Sequence, residues 1–105
     1  MAKFVLLYEG GSMPETEAAQ AQAMKAWEDW FHQIGDSAVV DQGNPFTPAS
    51  NKIAADGSVS GGAGRASGYS ILEADSLDDA TALAKGCPVL AGGASIGVYE
   101  IFNVM

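Results

Sequence analysis

Two stretches of the chain, "KFVLLY" (residues 3–8) and "SGYSILEA" (67–74), carry apolar residues on both alternating faces of an extended backbone. In the first, Phe4, Leu6 and Tyr8 point one way while Val5 and Leu7 point the other. Strands that are apolar on both sides belong at the centre of a sheet. Each is followed by a helical segment and a further β-rich stretch, so that "KFVLLYEG", a helix and "AVVD" echo "GYSILEAD", a helix and "GVYEIF". The order strand, helix, strand, strand, helix, strand is the ferredoxin-like split β-α-β pattern, an α+β fold on one antiparallel sheet. Right-handed crossovers place both helices on the same face of that sheet. The other face is apolar at its centre and needs a cover, which a second copy packed sheet against sheet across a two-fold axis supplies. The expectation is therefore a homodimer forming an α+β barrel.

Local signals fill in the elements. "SMPE" (12–15) matches a capping box, with Ser12 as the cap, Glu15 three residues on and Pro14 in the first turn. The helix that follows runs to about Ile34, with Met24, Trp27, Phe31 and Ile34 on one stripe, Trp30 flanking it, and Lys25, Asp29 and His32 opposite. Gly35 ends it. "SAVVDQG" (37–43) predicts the second strand, closed by the turn residues of "GNPF". "NKIAADGSVS" predicts a small hairpin around Asp56-Gly57, and "SGGAGRASG" a flexible connection able to move over a pocket as a lid. Ser76, Asp78 and Asp79 open a second helix that ends at Gly86, and residues 95–104 predict the last strand.

Residues 1–105 make one domain, long enough to bury roughly two thirds of the unfolded surface. With 48% hydrophobic and 17% charged residues, a disordered chain is not expected. Thirteen acidic against five basic side chains give a net charge of -8, which repels phosphate backbones and anionic lipid, so neither nucleic acid nor a membrane is an expected partner. The N-terminal apolar run stops at Glu9, well short of a secretory core, and no run is long enough for a membrane span; the expected location is cytoplasmic. A single cysteine cannot form an internal disulfide.

That cysteine, Cys87, follows Lys85 and Gly86 at a helix C-terminus, where the dipole disfavours a thiolate; a small buried residue near a pocket wall accounts for it better than a nucleophile does. His32 lies off the apolar stripe and reads as a partly exposed residue of the last helical turn. One His and one badly placed Cys do not make a metal site. Asp41, beside Asn44, either faces a pocket or caps a turn. Glu100 is expected on a solvated edge of the sheet rather than inside a barrel. Tyr8, Tyr69 and Tyr99 recur on strands, where a phenol provides packing area and one polar contact to a ligand, although core packing alone also explains each. "GAGRASG" is followed by a strand where a dinucleotide fingerprint needs a helix, which makes it a linker.

The blocks "FVLLYEG", "WFHQIGDSAVVDQGNPF" and "GYSILEADSLDDATALAKGCPVL", with "IGVYEI" near the end, resemble the YCII-related proteins, in particular their DGPF-type branch. The resemblance covers nearly the whole chain and implies a dimeric α+β barrel. The DGPF tetrapeptide itself is absent, its neighbourhood reading "VSGGAGRASG". Where family members proposed to be enzymes carry a His on the first helix and an Asp before the Pro near the second helix end, this chain has Met24 and Cys87. Related barrels bind flat aromatic or hydroxylated compounds, and the resemblance implies cofactor-free elimination or oxidation; with that His and Asp absent, the expectation is a protein that binds a small aromatic or hydroxylated molecule without a cofactor. The ligand-binding positions are expected at Tyr8, Asp41, Tyr69, Cys87 and Tyr99. The alternatives are a cofactor-free enzyme of lyase or oxidation type, and a non-catalytic dimeric interaction or sensor module.

Overall fold

A computed structural model describes residues 2–11 and 15–102 of the chain. Its framework is a four-stranded sheet of β1 (Ala2–Gly10), β2 (Val39–Asp41), β5 (Ala66–Ala74) and β6 (Ala94–Glu100), in the order β2-β5-β1-β6. All neighbours are antiparallel. The two strands that are apolar on both faces are the central pair, aligned so that Phe4 faces Leu72, Leu6 faces Ser70 and Leu7 faces Tyr69. A separate two-stranded hairpin, β3 (Asn51–Ile53) and β4 (Val59–Gly61), turns at Asp56 and Gly57, with the Asp56 carboxylate accepting from the Ser58 N–H at 2.9 Å.

Helices α1 (Glu17–Ile34) and α2 (Leu77–Ala84) both pack on the face that carries Phe4, Leu6, Tyr8 and Leu72. The fold is thus α+β, with a mostly antiparallel sheet and two helices. Ser76 caps α2 by accepting from the Asp79 N–H at 3.1 Å, and Asp78 and Asp79 sit favourably in its first turn. The helix stops at Ala84, two residues before the expected Gly86. Ser12 and Pro14 of the expected capping box lie outside the described residues. The cap of α1 is Thr16, whose Oγ1 accepts from the Ala19 N–H at 3.1 Å.

The buried stripe of α1 also differs from expectation. Met24 is 67% exposed, whereas Trp30, assigned to the flank, is 3% exposed and the most buried residue of the helix. At about 100° per residue, Trp27, Trp30, Phe31 and Ile34 share one narrow arc and Met24 falls outside it. Ala23 occupies the half-buried place one turn before Trp27. The second strand is shorter than residues 37–43, because Asp36–Ala38 form a 3-10 turn before it.

The molecule measures 44 × 41 × 18 Å, and its thin dimension matches one helix layer on one sheet. Its radius of gyration of 15.1 Å compares with about 13 Å for a compact chain of this length. No helix among the described residues is long and apolar enough to cross a membrane.

Candidate functional site

The alternation of β1 and β5 sorts the expected site residues onto opposite faces of the sheet. On the helix side, Tyr8 is buried and donates its hydroxyl hydrogen bond to Ser70 Oγ at 2.7 Å. Ser70, fully buried, donates in turn to the Gln42 carbonyl at 2.7 Å. This relay ties β1 to β5 and to the segment leaving β2, and it satisfies the buried hydroxyls completely. The Tyr8 ring meets Trp27 edge-on at 5.5 Å, and Trp27 continues to Trp30 and Phe31 at 5.8 and 5.9 Å. The Trp30 ring N–H donates to the Leu83 carbonyl at 3.1 Å and so locks α1 onto α2.

Cys87 belongs to the same interior cluster as Tyr8 and Trp30 and is buried. It lies just beyond α2, its N–H donating to the Ala84 carbonyl, at the start of a 3-10 segment, Pro88–Gly92. Burial pushes its thiol above the ordinary range, only partly opposed by the Val89 backbone N–H and by Tyr8. The Tyr8 phenol is likewise raised by burial, with Ser70 acting in the opposite direction. Both groups are neutral at pH 7, and the pair has the chemistry of a packed, hydrogen-bonded core.

Among the described residues, no helix lies on the opposite face. Val5 and Leu7 of β1 lie between Ile71 and Tyr69 of β5 on one side and Tyr99 and Gly97 of β6 on the other. Asp41 stands at the edge of this surface. Its Oδ1 accepts from the Gly43 N–H at 2.8 Å, closing the turn after β2, and its Oδ2 accepts from the Tyr69 hydroxyl at 3.3 Å. Of the two roles weighed for Asp41, the structure gives the turn closure; its second oxygen meets the Tyr69 hydroxyl, and neither cleft described below is lined by it. Phe46 stacks on the Tyr69 ring, 5.9 Å between centroids and 26° between planes. The exposed Tyr99 ring folds back along β6 over Gly97, where an added methyl group would come within 2.8 Å of it.

The five expected positions thus do not converge on one pocket. Asp41 and Tyr69 touch; Tyr99 shares their face two strands away, about 10 Å across the sheet. Tyr8 and Cys87 sit on the other side. Sequence reasoning missed Phe46 and Ser70. The only signal for Ser70 was a small hydroxyl residue at an inward position of a strand otherwise carrying Leu72 and Ala74 there. His32 is exposed in the last turn of α1, and Glu100 is exposed on the edge strand β6.

Two concavities accompany these surfaces. A cleft of about 500 Å³ lies between the Pro45–Ser50 segment and the glycine-rich connection, lined by Phe46, Pro48, Ser50, Ala63 and Ala66 among others. The segment expected to act as a lid is one wall of it. A smaller hollow of about 210 Å³ separates the helices beside Trp30, Gln33 and Leu83. Among the described residues, no group of three or more His, Cys, Asp or Glu side chains converges on a point where a metal would bind. No family model matches the chain, and neither a curated protein nor a solved structure matches it.

Proposed function

We propose that the chain is a homodimeric binding protein for a small aromatic or hydroxylated molecule, of the YCII-related type its sequence resembles. The open sheet faces of two copies stack into an α+β barrel and enclose the ligand. The strand order β2-β5-β1-β6, with every neighbour antiparallel, supports the ferredoxin-like half of this reading. The observation that carries it is the uncovered face itself, where Val5, Leu7 and Ile71 form an apolar floor between Tyr99 and the Tyr69–Asp41 pair. Such a floor suits an aromatic ring, and the carboxylate at its edge suits a hydroxyl donor.

Area supports the dimer. The chain exposes 7322 Å², against about 5,500 Å² for a folded monomer of its mass. The surplus is of the order that a stable interface removes, about 800 Å² or more per partner. Binding without strong catalysis is favoured over an enzyme, because Met24, at the family's His position, points to solvent, and Cys87, at its Asp position, is sealed in the core.

Light scattering at micromolar concentration is expected to return twice the 10.8 kDa mass of the chain; a persistent monomer overturns the barrel. A thermal-shift screen with phenols and other hydroxylated aromatics is expected to raise Tm for the wild type and less for Asp41→Asn. A dimer that no compound of a broad panel stabilises overturns the ligand and favours an interaction module.

A further inference from the structure

The hairpin β3–β4 has no cover of its own. All six of its strand residues are exposed, and its cross-strand apolar pair, Ile53 opposite Val59, is 71% and 63% exposed. A two-stranded hairpin with no third strand or helix against it is at best marginally stable in water. Yet this one is anchored carefully at its base: the Gly62 N–H donates to the Ser50 carbonyl at 2.9 Å, the Ala63 N–H to Ser50 Oγ at 2.9 Å, and the Phe46 N–H to the Ser67 carbonyl at 2.8 Å. The base is also continuous with the open sheet face through the Phe46–Tyr69 stack.

We propose that this hairpin is an arm that closes over the second copy of the chain, with Ile53 and Val59 buried against the partner. The proposal rests on the dimeric reading above and adds to it the element that grips the partner. Three observations favour a second copy as the occupant. The surplus of exposed surface over a compact monomer is large enough to include both the sheet face and an arm. The arm's base joins that face through Phe46, which stacks on Tyr69. Finally, Lys52 on the arm and Arg65 at its base have no carboxylate within 4 Å among the described residues, where the ion pair present is Lys25–Asp29. Two of the five basic residues of a chain with net charge -8 thus stand on the arm and its base, which suits them to the surface of another copy, itself acidic overall.

The test is sedimentation equilibrium of the wild type, of the double variant Ile53→Ser/Val59→Ser and of Lys52→Glu, with hydrogen exchange of residues 51–61 at micromolar and nanomolar concentration. The expected result is a wild-type dimer, a double variant that dissociates at least about tenfold more readily, and hairpin amides protected only at the higher concentration. Lys52→Glu is expected to weaken the dimer chiefly at low salt, and it carries the same test should the serine pair fail to fold. A wild-type dimer unchanged by either variant, with hairpin amides exchanging equally fast at both concentrations, overturns the arm and leaves the barrel standing. A wild-type monomer overturns both.

Discussion

The Tyr8–Ser70–Gln42 relay makes the two hydroxyls unequal. Tyr8→Phe removes a donor from Ser70, which keeps its bond to the Gln42 carbonyl, so a loss of about 1 kcal/mol is expected. Ser70→Ala strands a buried phenol and a carbonyl together, and about 2–3 kcal/mol is expected; urea melts of the two variants check the order. Cys87 and Tyr8 predict the alkaline behaviour. Both are held above their ordinary values of 9.0 and 10.0, so the unfolded chain releases these protons first. Their contribution to stability is intact below pH 9 and falls as pH rises above it, first through Cys87 and then through Tyr8, each by up to about 1.4 kcal/mol per pH unit. Cys87→Ala is expected to remove the earlier part of this decline, and alkylation of native Cys87 to run far slower than that of the unfolded chain. The burial of Cys87 was readable from its place after a helix end. The relay was not, because nothing local connects Tyr8 to a serine 62 positions away.

At the level of elements, Trp30 carries the hydrogen bond that joins α1 to α2. Trp30→Ala removes a buried indole and its bond to the Leu83 carbonyl, and a loss of about 3–5 kcal/mol is expected by thermal or chemical denaturation, enough to unfold a marginal domain. Gly43 is equally exacting: its φ is +78°, and a Cβ there would lie 1.6 Å from the Tyr69 carbonyl oxygen. Helices and central strands were readable because their periods, caps and β-branched runs are local. The assignment of Met24 to the core stripe in place of Trp30 failed because both lie near the arc of Trp27 and Phe31, and only the position of α2 decides which is covered. The hairpin was announced by Asp56-Gly57, while the 3-10 turn that shortens β2 has no comparable signature.

For the whole molecule, the two apolar faces of β1 and β5 were enough to place them at the sheet centre, and right-handed crossovers in the repeated strand, helix, strand order to place both helices on one side. Which residues would meet across the uncovered side depended on register, and register is set by pairing that no local pattern specifies fully. If the barrel forms, Leu7→Lys should give a folded monomer with unchanged far-UV circular dichroism, while Leu6→Ala should unfold at every concentration. If the open face pairs with a second copy as proposed, the half-covered sheet divides the residues of a single strand between two kinds of selection. Along β1, substitutions at Phe4, Leu6 and Tyr8 act on the chain that carries them, whereas in the proposed dimer those at Val5 and Leu7 would act only as strongly as the protein is abundant enough to meet itself. A mutational scan of this strand at low and high expression should show defects alternating residue by residue between constant and dose-dependent.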